Sequence, residues 1–108
     1  MHAGEIETSM LLALRPQFVD MAQARDFASS SQQRADTFPI LGNGRSAKLG
    51  WQMQDYNAQG AAGNAAAASA DKGRALVDAA ATQLALLLQE LSALPLSTVR
   101  DAPGPTRP

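Results

Sequence analysis

The stretch HAGEIETSMLLAL, residues 2–14, decides how this 108-residue chain begins to fold. Glu5 and Glu7 would occupy a first helical turn, where carboxylates complement the partial positive charge of a helix N-terminus. The apolar side chains recur at helical spacing on one face: Ile6, Met10, Ala13 and Leu14. Pro16 disfavours helical backbone at the residue before it. The stretch therefore predicts a helix over residues 5–14.

The polar segment that leads into this helix is the candidate for chemistry. It contains His2, the only histidine of the chain, together with Glu5 and Glu7. A helix N-terminus offers free N–H groups and positive potential, which hold and tune polar side chains. The same pattern of a polar loop, Thr8-Ser9 and an apolar run also marks an ordinary helix start. Both interpretations stay open on these residues alone.

Composition predicts one domain with a thin core. The chain is 45% apolar, which is typical of globular proteins, but only 5% aromatic, and much of its apolar content is alanine. Nine basic and ten acidic residues give a net charge of −1 with no basic stripe. Nucleic acid is therefore not an expected partner.

The absence of certain sequence features further limits the kinds of protein that this chain can be. There is no cysteine, which excludes disulfides, thiolate metal sites and a cysteine nucleophile, and is compatible with a reducing compartment. No apolar stretch approaches the length of a membrane span, and no signal-peptide pattern opens the chain. These features predict a soluble, cytoplasmic chain without a membrane partner.

The clearest predicted element is a helix from Ala70 to about Leu94. Ser69 is its predicted N-cap and Pro95 ends it. Gly73 weakens the helix by about 1 kcal/mol relative to alanine, which indicates a packing reason for glycine there. We expect one apolar stripe to pack into the core, with some share of subunit contact, rather than to form a coiled coil. The stripe consists of Leu76, Val77, Ala80, Leu84, Leu87, Leu88 and Leu91.

The middle of the chain gives weaker signals. Residues 17–22 fit either a strand or a helical turn, and residues 25–34 fit a loop or a frayed helix. Asn43-Gly44 is a strong turn signal. The alternation of Leu49, Trp51 and Met53 with polar or small residues predicts a strand over residues 47–53.

Known catalytic arrangements can be tested by counting residues. A serine triad is disfavoured because His2 is the sole candidate base and no G-x-S-x-G motif exists. A zinc site needs three or four ligands, and the chain offers only His2, Glu5 and Glu7 locally, with Asp55 at a distance. A complete metal site is therefore not expected. General acid–base catalysis remains open, because one positioned imidazole is enough for it.

Several of these segments, taken together, resemble the creatininase (creatinine amidohydrolase) family. The opening HAG and ETS, followed by an apolar helix and LRP, resemble the family signature H-A-G-x-x-E-T-S. The segment ASADKG is similar to the A-T-A-E-K-G that opens the family's last helix. The resemblance covers residues 2 to 96. Its segments are 2–4, 7–9, 14–16, 44–46, 50–51, 57–60, 63–64 and 68–73.

The resemblance implies an α/β fold of three layers, α/β/α, and a homo-oligomeric, typically hexameric assembly. It also implies a two-metal site of zinc or manganese that hydrolyses cyclic amides or related C–N bonds, with a small-molecule amide as substrate. His2 would correspond to the histidine that shuttles protons near the metal-bound water. Glu7 would be the motif carboxylate beside it, with an orienting or substrate-side role.

The chain departs from the family pattern at the metal ligands. The family's E-x-H-G segment, its downstream aspartate and its N-G-H-G-G-N region are not present. We therefore expect residues 1–96 to be the C-terminal part of a creatininase-like domain, mostly helix and loop with one or two strands, followed by a proline-rich tail at 97–108.

On this hypothesis the chain alone binds no metal and is active at most when the missing half completes it. The apolar stripe of the last helix would then stay partly exposed, which favours homo-oligomers or pairing with the missing half. The alternative is a non-catalytic interaction module that pairs through its Leu76–Leu91 face.

Overall fold

The computed structural model describes residues 2–100, 102 and 104. Within this part the chain is mostly helix and loop, as predicted, with two short strands. The helices are α1 (Glu5–Leu14), α2 (Ser30–Thr37) and α3 (Ala70–Ala93), and the strands are β1 (Asp26–Phe27) and β2 (Gly63–Asn64). The strands pair antiparallel, with Asp26 opposite Asn64 and Phe27 opposite Gly63.

Two compact units divide the chain. The first runs to Val77 and the second begins at Asp78, so that α3 starts in one and continues into the other. The first unit holds the buried centre of the structure, which is built from small side chains rather than large ones. Its members are Ser9, Ala61, Ala62 and Ala65. The prediction of a thin core is therefore confirmed.

The helices predicted over residues 5–14 and from Ala70 to about Leu94 are both confirmed. Helix α1 ends at Leu14, and the backbone of Arg15 has left the helical region at φ −150° and ψ 66°. Helix α3 begins directly after Ser69, whose Oγ accepts the N–H of Lys72 at 3.3 Å, as expected of an N-cap. The Asn43-Gly44 turn also forms, with Gly44 in the left-handed region at φ 68°.

Gly73 has the packing role that its place in α3 indicated. It is buried against α1, and a Cβ at this position would overlap the carbonyl group of Ser9 and lie 3.0 Å from the Cβ of Ala13. Because the obstacle is backbone rather than a flexible side chain, it cannot move aside cheaply. The start of α3 and the middle of α1 therefore touch backbone to backbone.

The predicted strand over residues 47–53 is wrong. Leu49 and Trp51 are exposed, and Met53–Asp55 form a 3₁₀ turn instead. Period-two alternation yields a strand only where a neighbouring strand supplies hydrogen bonds and an apolar surface. In the part of the chain that the structure describes, both strands are already paired with each other. The indole of Trp51 packs edge-on against Tyr56, with ring centroids 4.8 Å apart.

The region that was predicted as loop or frayed helix contains strand β1 and the start of helix α2. Ser29 caps α2, since its Oγ accepts the N–H of Ser31 at 3.2 Å. The helix start is also tied to a distant loop, because Ser30 donates its hydroxyl to the carbonyl of Asp55 at 2.8 Å. Residues 17–22, which left strand and turn open, form two 3₁₀ turns, Pro16–Phe18 and Met21–Gln23.

Core packing of the α3 stripe is contradicted over most of its length. Leu76 and Val77 are half-buried, but the stripe from Ala80 to Leu91 is exposed. The six leucines between residues 84 and 94 keep between 47% and 56% of their surface in solvent. The prediction failed because no other element of the second unit covers this face among the described residues. The expectation that the stripe stays partly exposed is confirmed.

The described residues include no helix that is both long and apolar enough to cross a bilayer. The boundary between residues 1–96 and the tail stays a prediction. The tail prolines at 103, 105 and 108 lie outside the described residues.

Replacing Gly73 by alanine tests the backbone contact between α1 and α3. Alanine is the better helix former by about 1 kcal/mol, but its methyl group would force the two helices apart. We expect the free energy of unfolding to fall by about 2 kcal/mol, which chemical denaturation would measure. Gly50→Ala is the matched control, because a Cβ there meets open space. Equal stability of the two variants would contradict the contact.

Candidate functional site at the start of helix α1

The segment before α1 is held by backbone pairing. His2 and Ala62 form an antiparallel bridge: the N–H of His2 donates to the Ala62 carbonyl at 3.2 Å, and the N–H of Ala62 donates back at 2.8 Å. Ala62 is 2% exposed, so the bridge ties His2 to the buried centre. The side chain of His2 itself is exposed. The imidazole therefore extends toward solvent from an anchored backbone.

Ala3 turns the chain from this bridge into the helix. Its φ of 53° lies in the left-handed region, and it is the only non-glycine residue with a positive φ in the described part of the chain. This conformation costs an L-residue about 1 kcal/mol. The N–H of Ala3 donates to Oε2 of Glu7 at 2.6 Å, and its carbonyl accepts the hydroxyl of Thr8 at 3.4 Å. Side chains of α1 thus hold the turn on both sides.

One face of α1 fastens this segment to the start of α3. Ser9 is fully buried, and its Oγ accepts the N–H of Ser69 at 3.1 Å. Glu5, one turn earlier on the same face, accepts the ammonium of Lys72 at 2.6 Å. Because that ion pair is about half exposed, it contributes little to stability. The buried Ser9 contact carries more of the attachment.

An open cleft of about 680 Å³ lies beside the first turn of α1. Three acidic residues are among those that line it, Glu5, Glu7 and Asp26, together with Asn64 and apolar residues that include Phe27. Glu7 therefore faces a cavity of small-molecule size, whereas His2 lies outside its lining. The cleft brings α1 together with β1 and β2, which are far apart in sequence.

Sequence reasoning found Glu5 and Glu7 but missed Asp26 and Asn64. They become neighbours of the cleft only through the pairing of β1 with β2. No local signal marks this pairing, since each strand is two residues long. Asp55, the distant acidic candidate, lies elsewhere: its carboxylate accepts the N–H of Gln52 at 2.8 Å, which caps the 3₁₀ turn.

The residues present do not fit a two-metal centre. Among the described residues, no three histidine, cysteine, aspartate or glutamate side chains stand close enough to hold one ion. In the same part of the chain, no buried side-chain nitrogen or oxygen is left without a hydrogen-bond partner, so none points at a missing ligand. Zinc and manganese need several such donors together. No catalytic step is therefore assigned to a metal held by these residues.

Comparison with known proteins identifies the family. A family model described as creatininase, creatinine amidohydrolase, matches residues 1–88. The chain belongs to the creatininase family. Family membership indicates an amidohydrolase-type function, and creatininases are generally metal-dependent. No curated protein and no solved structure matches the chain, so the three-layer creatininase fold remains a prediction.

In this creatininase-family chain, His2 and Glu7 are linked through one strained residue, Ala3, which follows His2 in the chain and donates its N–H to Glu7. His2 is anchored through its backbone, and Glu7 is anchored through its carboxylate. Their catalytic assignment stays a prediction, since nothing in the geometry shows them acting on a substrate.

Replacing Ser9 by alanine tests the buried attachment of α1. The N–H of Ser69 would lose its acceptor in a partly buried contact, which costs about 1–2 kcal/mol. Thermal or chemical unfolding would measure the loss. Ser92→Ala is the matched control, because the Ser92 hydroxyl donates to the Leu88 carbonyl on an exposed helix surface. A Ser9→Ala variant as stable as this control would show that the attachment lies elsewhere.

Proposed function

We propose that this chain contributes the proton-transfer segment of a creatininase-type amidohydrolase, which hydrolyses a cyclic amide or a related C–N bond of a small molecule. The single observation that carries the proposal is the family match over residues 1–88, which includes the segment of His2 and Glu7. The anchoring of the His2 backbone supports it, since its N–H and its carbonyl both bond to Ala62 and a base that is free to move contributes little to catalysis.

The reaction assigns a simple task to His2. Water adds to the amide carbonyl, the C–N bond breaks, and the departing nitrogen takes up a proton. An imidazole that has accepted a proton from the water can return it to that nitrogen. Glu7 acts in the same segment, beside the cleft.

Zinc or manganese would activate the water in such an enzyme. Because the described residues do not form a metal site, we propose that the ligands belong to residues other than those described here. The chain then supplies the imidazole and part of the cleft, and works together with a metal-bearing partner.

Complementation tests this proposal. The partner is a creatininase-family enzyme, loaded with zinc or manganese, from which the segment beginning at its own H-A-G motif has been deleted. We expect added wild-type chain to restore hydrolysis of creatinine or a related cyclic amide, and His2→Ala to lose at least about a hundredfold of the restored rate. Lys48→Ala is the control, since Lys48 is exposed and outside the cleft.

Two results would overturn the proposal. One is equal restoration, or equal lack of it, by the wild-type chain and His2→Ala. The other is hydrolysis by the purified chain alone together with calorimetric binding of two ions per chain, which would show that these residues suffice.

A second candidate function is self-association through α3. The exposed leucines of the second unit favour it, because Leu84, Leu87, Leu91 and Leu94 repeat at alternating steps of three and four residues. Glu90 is the only charged residue between positions 79 and 99, so two copies of this face would not repel each other. We propose a second copy of the chain as the partner of this surface.

Sedimentation of the full chain tests the self-association. We expect a concentration-dependent dimer, and at least about tenfold weaker association for Leu84→Asp, because that substitution places a carboxylate in an apolar contact. Gln89→Asp adds the same charge on the opposite side of the helix and serves as control. A chain that stays monomeric, or a Leu84→Asp variant that associates as before, would contradict the second candidate.

A further inference from the structure

The carboxylate of Glu7 accepts a hydrogen bond from the backbone of the preceding loop. Oε2 accepts the N–H of Ala3 at 2.6 Å, four residues earlier in the chain. The short distance and the charge on the acceptor mark a strong hydrogen bond. The carboxylate also lies in the first turn of α1, next to the positive end of the helix dipole.

Ala3 needs this support because its backbone is strained. A left-handed conformation at an alanine persists only where the surroundings over-determine it. Here the determinants are the Glu7 carboxylate, the Thr8 hydroxyl and the bridge between His2 and Ala62. Of these, only Glu7 bonds the Ala3 N–H. Loss of this bond would free the residue that joins His2 to the helix.

We propose that Glu7 is a positioning residue, whose carboxylate holds Ala3 in the left-handed turn and thereby fixes the direction of the His2 side chain. The catalytic relevance of this role rests on the proposed function, because that function makes His2 the proton-transfer group. The effect of Glu7 on the direction of the His2 side chain does not depend on it. In this role Glu7 transfers no proton. It acts through the backbone of Ala3 on the imidazole.

The neighbouring carboxylate offers a matched comparison. Glu5 lies in the same first turn and lines the same cleft, but it accepts the ammonium of Lys72 instead of a backbone N–H of the loop. Substituting either Glu5 or Glu7 therefore removes one negative charge from the same helix end. Only the Glu7 substitution also removes the hydrogen bond to the Ala3 N–H.

The experiment is a double-mutant cycle observed by NMR, and it needs no hydrolytic activity. His2 is the only histidine, so its imidazole signals are assigned without ambiguity. The variants are Glu7→Ala, Glu7→Gln, Glu5→Ala, Ala3→Gly, and Ala3→Gly combined with Glu7→Ala. The measured quantities are the hydrogen-exchange rate of the amide at position 3 and the imidazole chemical shifts of His2.

We expect Glu7→Ala to speed exchange of the amide at position 3 about tenfold or more, and to move the His2 signals toward those of an unstructured imidazole. Glu7→Gln should keep both near the wild type, because its amide oxygen still accepts the hydrogen bond. Glu5→Ala should leave both unchanged. In the Ala3→Gly background the effect of Glu7→Ala on His2 should shrink several-fold, because glycine tolerates the left-handed turn without support.

Three results would overturn the proposal: unchanged His2 signals in Glu7→Ala, equal damage from Glu7→Gln and Glu7→Ala, or an undiminished Glu7→Ala effect in the Ala3→Gly background. The amides of Ser9 and Gly73 report whether α1 and α3 remain folded. If the complementation assay shows no hydrolysis, the proposed function fails, while these signals still decide the role of Glu7.

Discussion

The close contact between Ser9 and Gly73 is the constraint on which the first unit depends. It lets the backbone of α1 approach the start of α3, and it brings the Ser9 hydroxyl to the N–H of Ser69. A core of alanines cannot hold two helices in place by buried area alone, because each methyl group contributes little. A backbone contact and one buried hydrogen bond therefore determine the position of α1, and with it the polar segment at its N-terminus.

Features with local causes were predictable from the sequence. The bounds of α1 and α3 follow from helical spacing, from capping by Ser69 and from prolines just beyond their ends, and all these signals act within a few residues. The packing role of Gly73 was also foreseeable, because glycine inside a helix needs a compensating reason. The candidate pair of His2 and Glu7 came from the resemblance to the H-A-G-x-x-E-T-S signature, in which the two residues lie five positions apart.

Features that depend on a distant partner could not be predicted. The alternation at Leu49 and Trp51 has the period of a strand, but the pairing goes to β1 and β2, whose two-residue segments have no period to detect. The spacing of the leucines predicts an apolar face on α3, but the burial of that face depends on another element that covers it. Asp26 and Asn64 joined the cleft through the same unforeseen pairing. The sequence therefore predicts which side of an element is apolar, but the tertiary structure determines which elements pack against each other.

On the proposed function, the organisation of the His2 segment would explain how a chain with few metal ligands contributes to hydrolysis. Its described residues include one histidine and no cluster of metal-binding side chains, so the proposal gives this chain the role of holding an imidazole in place rather than of binding an ion. The segment contains a strained residue, Ala3. Its strain is tolerated because the Glu7 carboxylate accepts the Ala3 N–H, the Thr8 side chain donates to the Ala3 carbonyl, and the bridge to Ala62 holds His2. The Glu7 and Thr8 side chains belong to α1, which is itself held by Gly73. If Glu7 orients His2 as proposed, the direction of the imidazole depends in turn on the Glu7–Ala3 hydrogen bond, on the placement of α1, and on the close contact that glycine at position 73 permits.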